Sequence, residues 1–315
     1  MNPGMNPAVT LATLPTPLVD APRLAAALGL SSLLVKRDDL TGFAVAGNKA
    51  RQLSSILTDA HGSDVLVTGG TPGSNFIQAA SAAAAWAGMR CVLVLPGDRI
   101  PVTSHPNLAA AAAWGAELQF TGDPDRSSID AQLPVTAAAL VAQGARPYVA
   151  PRGGASAVGA DAYRAGLDEL LEQLDGRRPV VVIACGAGGT LAGLVAGNVA
   201  RGRPLRIVGV SVSRPPSGVP VLELARAVAE RRGAPLPTAK DVELIDARGP
   251  GHGLASAAGD QAAHLALRAE GLVLDPVYSA KALAAVPAVV GDEPALFWHT
   301  GGLLDAVAGL MGSSS

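Results

Sequence analysis

Twice along this chain, at 65–87 and at 180–200, a run of β-branched and other apolar residues ends in a glycine-bearing turn, passes a small polar residue and enters an alanine-rich segment of helical length. That is the repeating unit of a parallel sheet, because parallel neighbours need a long crossover connection and a helix supplies it. The two passages share this grammar without repeating a sequence. The alternation runs through the whole chain, with strands expected at 33–36, 65–68, 91–95, 117–120, 180–184, 206–211, 242–245 and 295–299. Helices are expected between them at 48–60, 75–87, 107–114, 128–142, 158–174, 190–200, 221–231, 256–270 and 279–289. The fold class is therefore α/β, with open, mostly parallel twisted sheets flanked by helices. If the middle of the chain forms its own sheet, 47–154 is a small domain and 1–46 with 155–315 a large one.

Composition removes several alternatives. With 315 residues, 49% of them hydrophobic, the chain buries a large core and is neither disordered nor fibrous. A net charge of -2 with no basic block leaves no footprint for nucleic acid, so the partner is a small molecule. The uncharged stretch 179–200 is long enough to cross a membrane, but its glycines 186, 188, 189, 193 and 197 fit a strand, a loop and a helix better. No membrane partner is expected. Cys91 and Cys185 each lie in an apolar run and read as core thiols. The five histidines show no ligand spacing, so no metal site is expected. No cationic segment precedes an apolar one at the N-terminus, which makes the cytoplasm the expected location.

Four stretches can carry chemistry. In Cys185-Gly-Ala-Gly-Gly-Thr190 the glycines let backbone N–H groups close on an oxyanion at a helix start, with Thr190 adding a hydroxyl. The spacing fits neither a dinucleotide fingerprint nor a Walker A loop, and an ordinary tight turn explains it equally well. Only four lysines occur, Lys36, Lys49, Lys240 and Lys281. Lys36 abuts Arg37-Asp-Asp39 and reads as an ion-pair member, Lys240 lies in a loop, and Lys281 faces solvent on a helix. Lys49 stands apart in Ala44-Val-Ala-Gly-Asn-Lys-Ala50, with Asn48 as an expected N-cap. In the first turn the helix dipole disfavours an ammonium, and small apolar neighbours push the same way, so a neutral amine able to form a Schiff base is expected there. Against this stands the plainer reading of a surface lysine near a helix start. Ser74 and Asn75 close the turn Gly69-Gly-Thr-Pro-Gly-Ser-Asn75, as ligand groups for a carboxylate and a phenolic oxygen or as a plain N-cap. Tyr278 in Asp275-Pro-Val-Tyr278 is a candidate acid or base, and Thr300 in His299-Thr-Gly-Gly302 a ligand-facing hydroxyl.

Taken in order, Thr16-Pro-Leu18, Lys36-Arg-Asp-Asp-Leu-Thr-Gly42, Gly47-Asn-Lys49, Ser74-Asn75, Pro151-Arg-Gly-Gly154, Gly186-x-Gly-Gly-Thr190, Gly249-Pro-Gly251, Asp275-Pro-Val-Tyr278 and His299-Thr-Gly-Gly302 resemble the D-cysteine desulfhydrase and 1-aminocyclopropane-1-carboxylate deaminase family. Its members are fold-type II pyridoxal-phosphate (PLP) enzymes, similar to tryptophan synthase β. The resemblance covers almost the whole chain. It implies PLP as cofactor, a Schiff base on Lys49, and Lys49 as the base at the substrate's Cα. It further implies Gly186, Ala187, Gly188, Gly189 and Thr190 around the phosphate, Asn75 at the ring's phenolic oxygen and Thr300 at the ring nitrogen. Ser74 and Asn75 would meet the substrate, with Tyr278 beside the reacting carbons.

Three positions depart from the family pattern. Phe76 stands where His or Gln is common, His252 where Gly-Pro-Gly is usually followed by Tyr, and Ser279 where deaminases carry Glu and desulfhydrases usually Thr. All three are candidate substrate-binding positions. The expectation is a β-eliminating lyase on a small amino acid, releasing a 2-oxo acid and ammonia, and working as a cytoplasmic homodimer. The alternatives are cyclopropane ring opening, β-replacement in a biosynthetic step, or a catalytically silent PLP-fold protein that only binds a ligand.

Overall fold

In a computed structural model, which describes residues 8–213, 215–251 and 253–312, the chain builds two sheets. The larger has six strands: β1 (Leu18–Asp20), β2 (Leu33–Arg37), β7 (Val180–Cys185), β8 (Ile207–Ser211), β9 (Glu243–Asp246) and β10 (Ala295–His299). Their order is β1-β2-β10-β7-β8-β9, and every pair is parallel except β1 with β2. The smaller has β3 (Val65–Gly69), β4 (Arg90–Leu95), β5 (Glu117–Phe120) and β6 (Pro147–Val149) in the order β5-β4-β3-β6, all parallel. The expected α/β class and parallel sheets are what the chain adopts. The stretch 179–200 resolves into β7 and the helix after it, and no helix among the described residues is long and apolar enough to cross a membrane.

Both sheets are covered on both faces, as the parallel strands that make up nearly all of them require. Side chains alternate accordingly. Val180, Val182 and Phe297 face α1 (Pro22–Leu28), α9 (Ala257–Glu270) and α10 (Ser279–Val290). Val181, Ile183 and Trp298 face α6 (Ala157–Leu174), α7 (Gly189–Ala200) and α8 (Gly218–Arg231). In the smaller sheet Leu66, Cys91 and Leu93 meet α2 (Lys49–Asp59), α3 (Asn75–Trp86) and α4 (Pro106–Ala113), while Val65, Val67, Val92 and Val94 meet α5 (Ser127–Ala142). Both cysteines are buried and neither is in a disulfide, and burial pushes the thiol of Cys91 up to about 12.

Helices α6 and α7 touch backbone to backbone at Gly193. A Cβ there would lie 2.0 Å from the carbonyl oxygen of Ala160 and 2.8 Å from Tyr163 Cβ. The obstacle is main chain inside a helix, which cannot swing aside, so Gly193→Ala is expected to cost about 3 kcal/mol, at the upper end for overpacking. Thermal unfolding of the variant beside wild type measures it.

The sequence pattern missed β1, β6, α1 and α11 (Leu303–Gly312). β1 and β6 have three residues each and α1 has seven, too short for either period to register.

The larger sheet changes direction between β10 and β7, the smaller between β3 and β6. Loops leaving the carboxyl ends of such strands diverge and open a crevice. All four of these loops meet at one cavity.

Candidate active site

The cavity, about 780 Å³ in extent and open to solvent, is lined from β10 by Thr300, Gly301 and Gly302, from β7 by 184–191, from β3 by Ser74, Asn75 and Phe76, and from β6 by Gly153. The start of α2 adds Ala46, Asn48, Lys49 and Gln52, and Tyr278 closes the set. Lys49, Ser74, Asn75, Phe76, Gly186, Ala187, Gly188, Gly189, Thr190, Tyr278 and Thr300, singled out from sequence, are thus brought together. Among the lining residues Lys49, Cys185 and Tyr278 carry an ionisable amine, thiol and phenol, and none is a carboxylate.

Lys49 is the first residue of α2. Burial alone lowers its amine to about 8, and among the described residues no carboxylate pairs with it. The turn before it is strained: Ala44 and Val45 hold φ of 45° and 48°, a conformation that a β-branched side chain resists. Gly47, at φ 55°, packs so closely on the β10 loop that a Cβ would fall 2.3 Å from Thr300 O. Asn48 N donates to the same oxygen at 2.9 Å.

Asn48 does not cap α2 with its side chain, contrary to the sequence expectation. Its Nδ2 donates instead to Thr190 Oγ1 at 3.1 Å, tying the lysine's helix to the glycine loop. Sequence reasoning also missed Gln52, whose Nε2 donates to Gly153 O at 2.9 Å and whose Oε1 accepts from Tyr163 OH at 2.9 Å. Its place one turn after Lys49 was the available signal, since i and i+3 share a helix face.

The loop after β7 is a cradle that side chains would fill. Gly188 has φ 92°, and a Cβ on Gly186 would lie 3.0 Å from the Tyr278 ring. α7 begins at Gly189, so its unpaired N–H groups and positive dipole end face the cavity beside the Thr190 hydroxyl. On the facing side Ser74 does cap α3, its Oγ accepting from Phe76 N at 3.3 Å. Phe76 serves both readings: it adjoins the cavity, yet is only 1% exposed in the core of the smaller sheet.

Tyr278 is presented by Asp275. Its buried carboxylate accepts from the backbone N–H of Val277, Tyr278 and Ser279 at 3.1, 2.6 and 2.9 Å, and burial raises its pKa. Ser279 does not line the cavity: it is buried, and its Oγ donates to Gly301 O at 3.0 Å, supporting the loop from behind. His252 lies outside the described residues. The lysines sort differently from expectation at one position. Lys36 is a buried ion-pair member as expected, but Lys281 is 1% exposed, not solvent-facing. Its Nζ donates to Arg248 O and Gly251 O at 2.7 and 3.1 Å, holding the Gly249-Pro-Gly251 turn. A lone lysine in an otherwise apolar helix was the signal for this.

Residues 9–301 match the family model described as pyridoxal-phosphate dependent enzyme. D-cysteine desulfhydrases of Salmonella typhi and of Salmonella newport (strain SL254) are each 36% identical over 312 residues, covering 94% of this chain and 94% of theirs. Among solved structures, an ACC deaminase homologue is 31% identical with a TM-score of 0.89, over 97% of this chain and 96% of that one. O-ureido-L-serine synthase, 17% identical with a TM-score of 0.68 over 97% and 94%, shares the fold.

Proposed function

Since the chain belongs to the family of pyridoxal-phosphate dependent enzymes, we propose that it catalyses β-elimination on a small amino acid, as a D-cysteine desulfhydrase does, ending in a 2-oxo acid and ammonia. The observation that carries this is the meeting of a glycine cradle at a helix start, an amine lowered to about 8 and a phenol in one cavity without a carboxylate. Those groups fit PLP: the cradle of 186–189 and Thr190 suit its phosphate, Lys49 its aldehyde, Asn75 its phenolic oxygen and Thr300 its ring nitrogen. When bound, PLP supplies an aldehyde carbon that links to amines and a ring that draws electrons from the substrate's Cα.

The chain's own residues do the rest. Ser74 and Asn75, at the N-terminus of α3, bind the substrate carboxylate. The Lys49 amine, lowered toward neutrality by burial, takes the proton from Cα, and the bond to the β-substituent breaks with its electron pair leaving on that group. The Tyr278 phenol stands beside the glycine loop to move a proton at the leaving group. Thr300 offers a neutral hydroxyl where a carboxylate would hold a proton on the ring, so loss of a β-substituent is favoured over a long-lived carbanion. Ser279 sits behind the loop where deaminases of this family carry Glu, which speaks against cyclopropane ring opening.

In this reading 47–154 acts as a small domain, supported by a sheet drawn entirely from 65–149 with its own core. The protein works as a homodimer, by resemblance, and in the cytoplasm, where thiols outside disulfides, such as Cys91 and Cys185, stay reduced. The test is a substrate panel on the PLP-loaded protein. Pyruvate and ammonia from D-cysteine or β-chloroalanine are expected; 2-oxobutyrate from 1-aminocyclopropane-1-carboxylate as the main product would replace this reading with the deaminase one.

A further inference from the structure

Beside the main cavity lies a small annex of about 70 Å³, open to solvent, that shares Ser74, Gly153, Gly186, Ala187 and Tyr278 with it. Two arginines line it, Arg126 from the turn before α5 and Arg152 from the loop after β6, and no carboxylate does. Most arginines of this chain are committed to carboxylates. Arg126 is not: among the described residues none lies within ion-pair distance of it. Its sequence neighbour Asp125 lines the outer groove that both arginines also border; its carboxylate accepts from Ser127 N at 2.7 Å and feels both positive charges without an ion-pair contact, and it does not line the annex. Arg152 is fixed at one end by Asp130, 2.7 Å from its Nη2, while its Nε is buried with no hydrogen-bond partner. A buried N–H without an acceptor is costly, and a second unpaired guanidinium beside it makes the annex a receptor for an oxyanion.

The geometry points to a substrate whose β-substituent is itself an oxyanion, such as a phosphate or sulfate ester, held by Arg126 and Arg152 while Ser74 and Asn75 hold the α-carboxylate. This rests on the proposed elimination and names its substrate class. The leaving group then departs as an oxyanion with the electron pair of the Cβ–O bond, and the two guanidiniums stabilise the charge as it grows.

The experiment compares the D- and L-forms of O-phosphoserine, O-sulfoserine and β-chloroalanine on the PLP-loaded protein, on Arg126→Gln and on Arg152→Gln. Binding of each ester and of alanine is measured calorimetrically alongside turnover. One of the two esters is expected to exceed β-chloroalanine in kcat/KM by about tenfold or more, and each variant to erase most of that preference. Which ester wins identifies the oxyanion. Equal losses on all substrates would mean that the arginines hold the α-carboxylate or the fold, and would overturn the inference. Turnover of β-chloroalanine with no preference for either ester, in wild type or variants, would overturn it while leaving the elimination standing. If no substrate turns over, the elimination fails separately, and the esters' Kd still decides: about tenfold below that of alanine and lost in Arg126→Gln supports the annex, equal Kd values refute it.

Discussion

Lys49→Ala is expected to lower turnover by at least about a thousandfold while the protein stays folded and still takes up PLP. The size follows from two roles lost together. A positioned base contributes about 10²- to 10⁴-fold, and no other amine lines the cavity to replace it. Lys36 and Lys281, the other buried lysines, are spoken for by Glu169 and by the carbonyls of Arg248 and Gly251. The fold should tolerate the change because Lys49 has no ion pair to break among the described residues, and truncating it removes the cost of desolvating an amine. Uptake persists because the glycine cradle, Thr190 and the α7 N-terminus are untouched. Turnover assayed beside the protein's phosphate content after dialysis checks both halves. An active variant would remove Lys49 from the reaction.

The second large effect lies two residues along the same helix. Arg51, 2% exposed, grips Asp38 with Nε and Nη2 at 2.9 Å each, and Glu169 with Nη1 and Nη2 at 2.9 and 2.8 Å. Lys36 completes the cluster, its Nζ bound to Glu169, to Gln173 Oε1 at 2.6 Å and to Thr16 O at 2.7 Å. Two cations and two carboxylates balance in a largely buried space, in which only Glu169 is partly exposed. Arg51→Ala leaves Asp38 buried and fully shielded, with Thr16 Oγ1 as its remaining side-chain partner, so it is expected to cost about 3–5 kcal/mol, a large share of the roughly 5–15 kcal/mol that keeps a domain folded. Denaturant unfolding measures it. The same cluster sets an acid limit. Glu169 ordinarily titrates at 4.5, and the Arg51 and Lys36 partners overcome its burial and hold it down at about 2. A carboxylate with a depressed pKa stabilises the fold fully above its unfolded value and loses that contribution as pH falls from 4.5 toward 2. Wild type is therefore expected to lose stability steeply through that window.

This cluster joins β2, α2 and α6, and its members are up to 157 residues apart in sequence. Nothing local betrays such a contact. Lys36 was legible only as an ion-pair member because acids stand beside it; its true partner, Glu169, was not. The site was more legible, because each of its parts is a short motif at a strand end: the glycine loop, Ser74-Asn75 and Thr300-Gly-Gly302 carry their geometry in consecutive residues. Lys49 emerged because lysines are few and its neighbours are small and uncharged. Asn48 was misjudged for the opposite reason. Its local preference is to cap a helix, but the close approach of Gly47 to Thr300 carries its side chain to Thr190 instead. Lys281 was misplaced because helical spacing alone does not tell which face turns inward.

The account stands or falls on one covalent bond. Borohydride reduction of the PLP-loaded protein, followed by peptide mass mapping, should place the reduced cofactor on Lys49 and nowhere else, with the visible absorption of the protein bleached in step. A label on another lysine, or none on a protein incubated with PLP, would contradict it.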